Sequence, residues 1–381
     1  MSELLILLTL SFIIFSSPYI AALIRLPTSA TEILLGVIFG SIGFLASNDM
    51  FKIVADVGFY YLMFLAGIKV DLKVFLTMPK RTLRNTILFL ILLYVLSFIV
   101  VYAYGLNEIY LIVLPVLSVG VLSTFYKEYG NDAKWLNTGM FVGIVGEVVS
   151  IALLTVLSSY INNGFGAKLF INLGALLGFL AVTALLLRWT DVLFWWFPNL
   201  KKALMPQFDK SEKDIRLSIS LLCAVIAMMI ILDLKVIIGA FIAGTLIPTF
   251  FAHKKDLPAK LESFGFGFLV PIFFVYIGST VNLNVLLTPS ITKSIIFLSI
   301  IMFFVRSLAS FVFYKELGGL RQTLLFSASI SAPLTLLIAI ATVGYETNFI
   351  QDDAYYSMVL ASVLQAILST SVIKILVTLK K

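Results

Sequence analysis

The sequence predicts an all-α polytopic membrane protein with about 13 transmembrane helices, and three observations carry that reading. The 381 residues are 61% hydrophobic and only 12% charged, with a mean hydropathy of +1.08, which leaves too little polar surface for a water-soluble globule. Apolar stretches recur at about 20 residues, the length at which an α-helix crosses roughly 30 Å of hydrocarbon. Short polar breaks separate these stretches, and basic residues fall unevenly among the breaks. The alternation over about ten residues that marks a membrane β-barrel is absent.

Hydropathy places the spans at about 3–24, 30–47, 52–70, 84–105, 108–127, 135–160, 166–188, 215–232, 234–252, 262–281, 290–314, 320–345 and 353–376. The first is expected to be a retained helix, since Glu3 and no Lys or Arg precedes its apolar run and no cleavage site follows. With 13 spans, only Lys52, Lys168, Lys235 and Lys293 fall on the N-terminal side. Every other basic residue except Arg306 falls on the opposite side. Basic residues collect in cytoplasmic loops, so the N-terminus is expected outside and the C-terminus in the cytoplasm of a cell (inner) membrane protein. The net charge of +7 reflects this asymmetry and no nucleic-acid partner, because the basic residues are dispersed over many short loops.

The longest polar segment, around residues 197–215, divides a single membrane domain (1–381) near its middle. Counting gives a first repeat at 1–160, a linker helix and cytoplasmic loop at 161–214, and a second repeat at 215–381. An odd linker helix between two six-helix halves sets them in opposite orientations. The single Cys223 lies in an apolar span, where a small packing residue is expected and no intramolecular disulfide is possible. His253, the only histidine, has no Cys or carboxylate at ligand spacing, so no metal site is expected there. No cofactor is expected, and no nucleophile–base constellation suggests an enzyme.

Ionisable groups are costly inside hydrocarbon and persist mainly where they function or pair. Glu147, in GMFVGIVGEVVSIALL, is the one carboxylate expected mid-span; the other acidic residues, Glu32 and Asp56 included, sit in loops or within about two turns of a span end. Arg306, in IIMFFVRSLASF, is the one comparable cation. Its bland alternative is to snorkel to the interface. Gly143 and Gly146 flank Glu147 and remove bulk from the approach face. Pro115 and Gly120 interrupt the fifth span, and Pro333 the twelfth, each proline freeing a backbone carbonyl at membrane depth. Either alone reads equally well as a simple kink. Both, however, occupy the fifth span of their half, and interrupted helices at corresponding positions are the best sequence pointer to a transport site. The freed carbonyls, with Ser118, Ser329 and Ser331, would supply neutral oxygens in place of a cation's water shell.

Four stretches resemble the monovalent cation/proton antiporter family, in particular its second branch, which includes bacterial potassium-efflux and sodium/proton antiporters. RLPTSATEILLGVIFG at 25–40 resembles the start of the family's second helix, and FLAGIKVDLKVF at 64–75 its "LAGLELDL" signature. KVIIGAFIAGTLI at 235–247 is similar to its "GAFLAG" element, and LVPIFFVYIGSTVNL at 269–283 to its "PIFFVxVG" element. The resemblance implies a homodimer, a moving six-helix core around crossed broken helices, and elevator-like alternating access. It also implies a carboxylate on the sixth helix, which falls on Glu147, and a basic residue before the second broken helix, which falls on Arg306. Where family members usually carry Asp-Asp, Asn-Asp or Gln-Asp, this chain has Gly146-Glu147. The efflux branch often adds a nucleotide-binding domain after the last helix; this sequence stops at Lys381, so such regulation is expected to be absent or supplied by another polypeptide.

The expected activity is exchange of H⁺ for Na⁺ or K⁺, with Glu147, assisted by Ser118, Gly146 and Ser331, binding proton and metal ion alternately, Arg306 supplying counter-charge, and one proton moving per cation. A cation-coupled symporter of an organic anion is the second reading, although no dense Asn, Gln or Thr cluster marks a solute pocket. A non-transporting homologue is the third, suggested by the Gly146-Glu147 pair.

Overall fold

A computed structural model describes residues 2–46, 48–69, 79–129, 133–163, 174, 178, 189, 196, 212–232, 234–250, 254, 256–281, 283 and 288–378. Among these, the regular structure is helical throughout. Among the described residues, eight helices are long and apolar enough to cross a membrane, and one further pair, Leu320–Ile330 and Leu334–Glu346, forms a span bent by 41°. The expected seventh span, most of the expected linker and His253 lie outside the described residues.

In order, the helices are α1 (Ser2–Ile24), α2 (Thr28–Ser41), α3 (Asp49–Ile68), α4 (Lys80–Tyr104), α5 (Tyr110–Val113), α6 (Gly120–Tyr129) and α7 (Lys134–Asn163). After the middle of the chain come α8 (Lys213–Ile231), α9 (Val236–Phe250), α10 (Leu257–Phe264) and α11 (Val270–Thr280), the last two joined through a π-turn at Gly265–Leu269. The chain closes with α12 (Pro289–Ser310), α13 (Tyr314–Leu317), α14 (Leu320–Ile330), α15 (Leu334–Glu346) and α16 (Asp352–Thr378). Each observed helix overlaps an expected span, and the expected fifth span is split into α5 and α6.

The chain folds as two compact units. One comprises Met1–Ala55, Val74–Leu154 and Pro271–Lys381; the other comprises Asp56–Lys73 and Thr155–Val270. In the first, α16 packs against α12, α14 and α15, and α4 packs against α12. The apolar periodicity is that of a lipid-facing bundle: Leu4, Leu8, Phe12, Phe15, Tyr19 and Leu23 form an exposed stripe on α1, while Ile13 and Ala21 are buried. In the second unit α8 packs against α9 and α10, and Cys223 lies on the exposed face of α8, not among packed side chains as expected, because its apolar run has lipid to face as well as protein.

Each unit contains a helix crossing so close that only glycine fits. In the first, a Cβ on Gly36 of α2 would run into the Val275 carbonyl of α11, and one on Gly278 into the Ile33 carbonyl. In the second, Gly67 of α3 and Gly244 of α9 meet in the same way, against the Phe241 and Phe64 carbonyls. Such small-residue contacts let membrane helices pack by backbone approach where no hydrophobic drive exists between them. The four glycines belong to the four family-like motifs, GVIFG, FLAG, FIAG and VYIG, so those motifs are packing surfaces.

Candidate ion-binding site

Between α5 and α6 the chain leaves helical geometry from Leu114 to Val119. Pro115 has no N–H to give, and it stops the helix that α5 begins. Unwound backbone at membrane depth must find partners from side chains, and here it does. The Ser150 hydroxyl accepts from Leu117 N at 3.3 Å, a Glu147 carboxyl oxygen accepts from Val119 N at 3.3 Å, and Arg306 Nη2 donates to the Val116 carbonyl at 2.5 Å. Three polar side chains from two other helices therefore hold one broken strand of chain.

Glu147 is 1% exposed. Its other oxygen accepts from the Ser118 hydroxyl at 3.1 Å, and Ser118 Oγ in turn lies 2.6 Å from Thr335 Oγ1. Thr335 sits two residues past Pro333, at the start of α15, so the two interruptions meet through a hydroxyl pair beside the carboxylate. A Cβ on Gly120 would come 3.0 Å from the Thr335 methyl, which explains a glycine at the first turn of α6. Gly139, Gly143 and Glu147 are spaced four residues apart on one face of α7; a Cβ on Gly139 would lie 2.9 Å from the Ser329 hydroxyl and one on Gly143 2.9 Å from Leu122. Next to Glu147, the space a side chain on Gly146 would fill is occupied by Leu117 of the break.

Arg306 does not snorkel. It is fully buried, with Nη1 donating to the Met302 carbonyl at 2.9 Å and Nε without a hydrogen-bond partner. It reaches the site through Val116, three residues before the amide that holds Glu147. Tyr94 of α4 adds a buried hydroxyl without a hydrogen-bond partner among the described residues, in the electrostatic reach of Ser150 and Arg306.

Of the residues expected from sequence, Glu147, Ser118, Pro115, Gly120 and Arg306 come together. Ser331 lies at the second interruption, but its hydroxyl donates to its own helix at the Ser327 carbonyl, 2.7 Å away, and Ser329 turns back to the Phe326 carbonyl in the same way. Thr335 takes the place expected of them. Sequence reasoning also passed over Ser150 and Tyr94; Ser150 was findable, being one turn beyond Glu147 on the same helix. Glu147 is also not the one buried carboxylate: Glu32 is 4% exposed and accepts from Ser17 at 3.2 Å, and Asp214 is buried against Lys254 at 2.9 Å. Both lie near helix starts, where distance from a span end is a poor guide to burial.

Apolar helices of spanning length, two of them interrupted and meeting at a buried carboxylate, define a polytopic secondary transporter. The family described as sodium/hydrogen exchanger, transmembrane, matches residues 8–379. The chain belongs to that family and is a multi-pass cation/proton antiporter. A Methanocaldococcus jannaschii protein named "Probable Na(+)/H(+) antiporter 3" is 26% identical over 95% of this chain and 93% of its own length. The Na⁺/H⁺ antiporter of Enterococcus hirae is 21% identical over 92% and 91%. Among solved structures, the sodium proton antiporter MjNhaP1 of Methanocaldococcus jannaschii superposes with a TM-score of 0.71, covering 99% of both chains at 17% identity, so the fold is shared.

Proposed function

We propose that this antiporter moves one H⁺ against one Na⁺, or K⁺ in its place, by loading each in turn on Glu147. The observation that carries this is the carboxylate held where the two broken helices meet, with both oxygens engaged by neutral donors and no hydrocarbon-compatible reason to be charged there except function. Sodium is favoured by the names of the relatives.

A dehydrated monovalent cation needs several oxygens. Glu147, the Ser118 and Thr335 hydroxyls and the carbonyls of the break offer them on one side of α7. A proton on Glu147 satisfies the same charge. Arg306, pinned to Val116, keeps a fixed positive charge near the break and so offsets the carboxylate when it is ionised and empty. If the site changes sides only when Glu147 is occupied, because an uncompensated anion is costly to carry through apolar surroundings, obligatory exchange follows.

The same reading includes a homodimer, an outside N-terminus and a cytoplasmic C-terminus, and two inverted six-helix repeats. The repeat is supported by the glycine crossings: α2 meets α11 and α3 meets α9, second span with third and third with second across the expected halves, as inverted halves would exchange them. The deciding experiment is reconstitution in vesicles with an acidic interior, tested cation by cation for dissipation of the proton gradient. Wild-type protein should respond to Na⁺ or K⁺ and Glu147→Gln to neither; binding of an organic solute without proton exchange would favour the symporter.

A further inference from the structure

A cavity of about 460 Å³ opens at the start of α4 and the end of α12, lined by Arg81, Arg84, Asn85, Phe311, Tyr314 and Lys315. Its lining begins five residues beyond Arg306 on the α12 side and nine residues before Tyr94 on α4, and nothing in the exchange mechanism uses it. Three cations line it, and among the described residues none of them forms an ion pair. Glu316 accepts from Thr82 Oγ1 and from the wall residue Asn85 Nδ2, both at 2.6 Å, so its two oxygens are engaged by neutral donors. Three cations against this one carboxylate leave the wall net positive beside two exposed aromatic rings. One and two turns further along, Ile87, Leu88 and Ile91 on α4 and Leu308 and Phe304 on α12 are exposed apolar side chains, so the basic mouth is followed along both helices by exposed apolar faces.

We propose that this cavity seats the headgroup of an anionic phospholipid, a phosphodiester such as phosphatidylglycerol, with its acyl chains along the apolar faces of α4 and α12. The shared chemistry is a phosphate recognised by guanidinium forks; the source is lipid and not a free anion, because the basic cluster grades directly into a surface built for hydrocarbon. Basic pockets between membrane helices bind anionic headgroups on these grounds. The proposal stands independently of which ions the protein exchanges.

The test uses the full chain in phosphatidylcholine nanodiscs doped with phosphatidylglycerol, followed by mild extraction and mass-spectrometric counting of retained phospholipid. Wild-type protein should retain phosphatidylglycerol in preference to phosphatidylcholine. Arg81→Gln, Arg84→Gln and Lys315→Gln combined should lose that preference by about tenfold or more, whereas Lys52→Gln, Lys235→Gln and Lys293→Gln combined should keep it. Should the cavity triple variant not fold, Lys315→Gln alone must still lower the preference, and Arg84→Lys, which keeps the charge and loses the fork, must lower it less than Arg84→Gln does. No preference in the wild type, or equal loss in both triple variants, overturns the proposal. So does an unchanged preference in Lys315→Gln, or displacement of the lipid by millimolar inorganic phosphate, which would assign the cavity to a free anion.

Discussion

Glu147 has a structural task as well as a chemical one, since its two oxygens hold Ser118 and the amide of Val119. The replacement Glu147→Gln keeps the length and one acceptor oxygen while removing charge and proton. It should therefore leave a folded, monodisperse protein that exchanges nothing at any pH, measured as gradient dissipation in vesicles. Thr335 separates binding from charge. Thr335→Val keeps the shape and removes the hydroxyl facing Ser118 at 2.6 Å; a hydrogen bond of about 1 kcal/mol is roughly fivefold in affinity. The cation's apparent KM should rise by about that factor, with the maximal rate little changed. Arg306→Ala is a different case, because it strips a buried carbonyl of its partner as well as removing charge. Its expected signature is weaker exchange with a displaced pH profile, together with a stability loss of about 1–3 kcal/mol for the orphaned Val116 carbonyl.

At the scale of elements, the break at Leu114 to Val119 is held by side chains, and that decides what the sequence could reveal. Pro115, Pro333 and Gly120 were legible because proline and glycine act on the backbone wherever they stand. Glu147 and Arg306 were legible because charge in an apolar run has few explanations. Thr335 was not singled out, since hydroxyl residues in membrane helices commonly bond their own backbone, as Ser331, Ser329 and Ser97 do here, and only the fold tells the two uses apart. Gly146 looked like part of the ion site, yet its empty volume belongs to Leu117. Gly146→Ala should then destabilise by about 1–3 kcal/mol through overpacking, read as a lower thermal midpoint in detergent. Leu117→Ala alone should cost about 2–5 kcal/mol, and the double variant should lose less than the sum of the two, a coupling that a role for Gly146 in ligating the ion would not produce.

For the whole molecule the question is how much charge crosses per cycle. All-helical architecture and membership of the exchanger family were readable from hydropathy and four short motifs; the glycine crossings beneath those motifs were not, since contact between distant spans leaves no mark on local sequence. Glu32 is bonded to Ser17 near the start of α2 and Asp214 is paired with Lys254 at the start of α8, so each has a partner of its own. One exchangeable carboxylate at the broken helices loads either one proton or one monovalent cation, and each cycle returns the same charge it carries. Transport should then be electroneutral. A net movement of one charge would couple to the membrane potential by about 2.3 kcal/mol per 100 mV, shifting the equilibrium ion ratio roughly 50-fold. With sodium-loaded, potassium-free vesicles clamped by the diffusion potential of a permeant anion, the Na⁺ ratio at which proton flux reverses should be the same at 0 mV and at about 100 mV. A reversal point that moves by anything near 50-fold would mean that a second charge travels with Glu147.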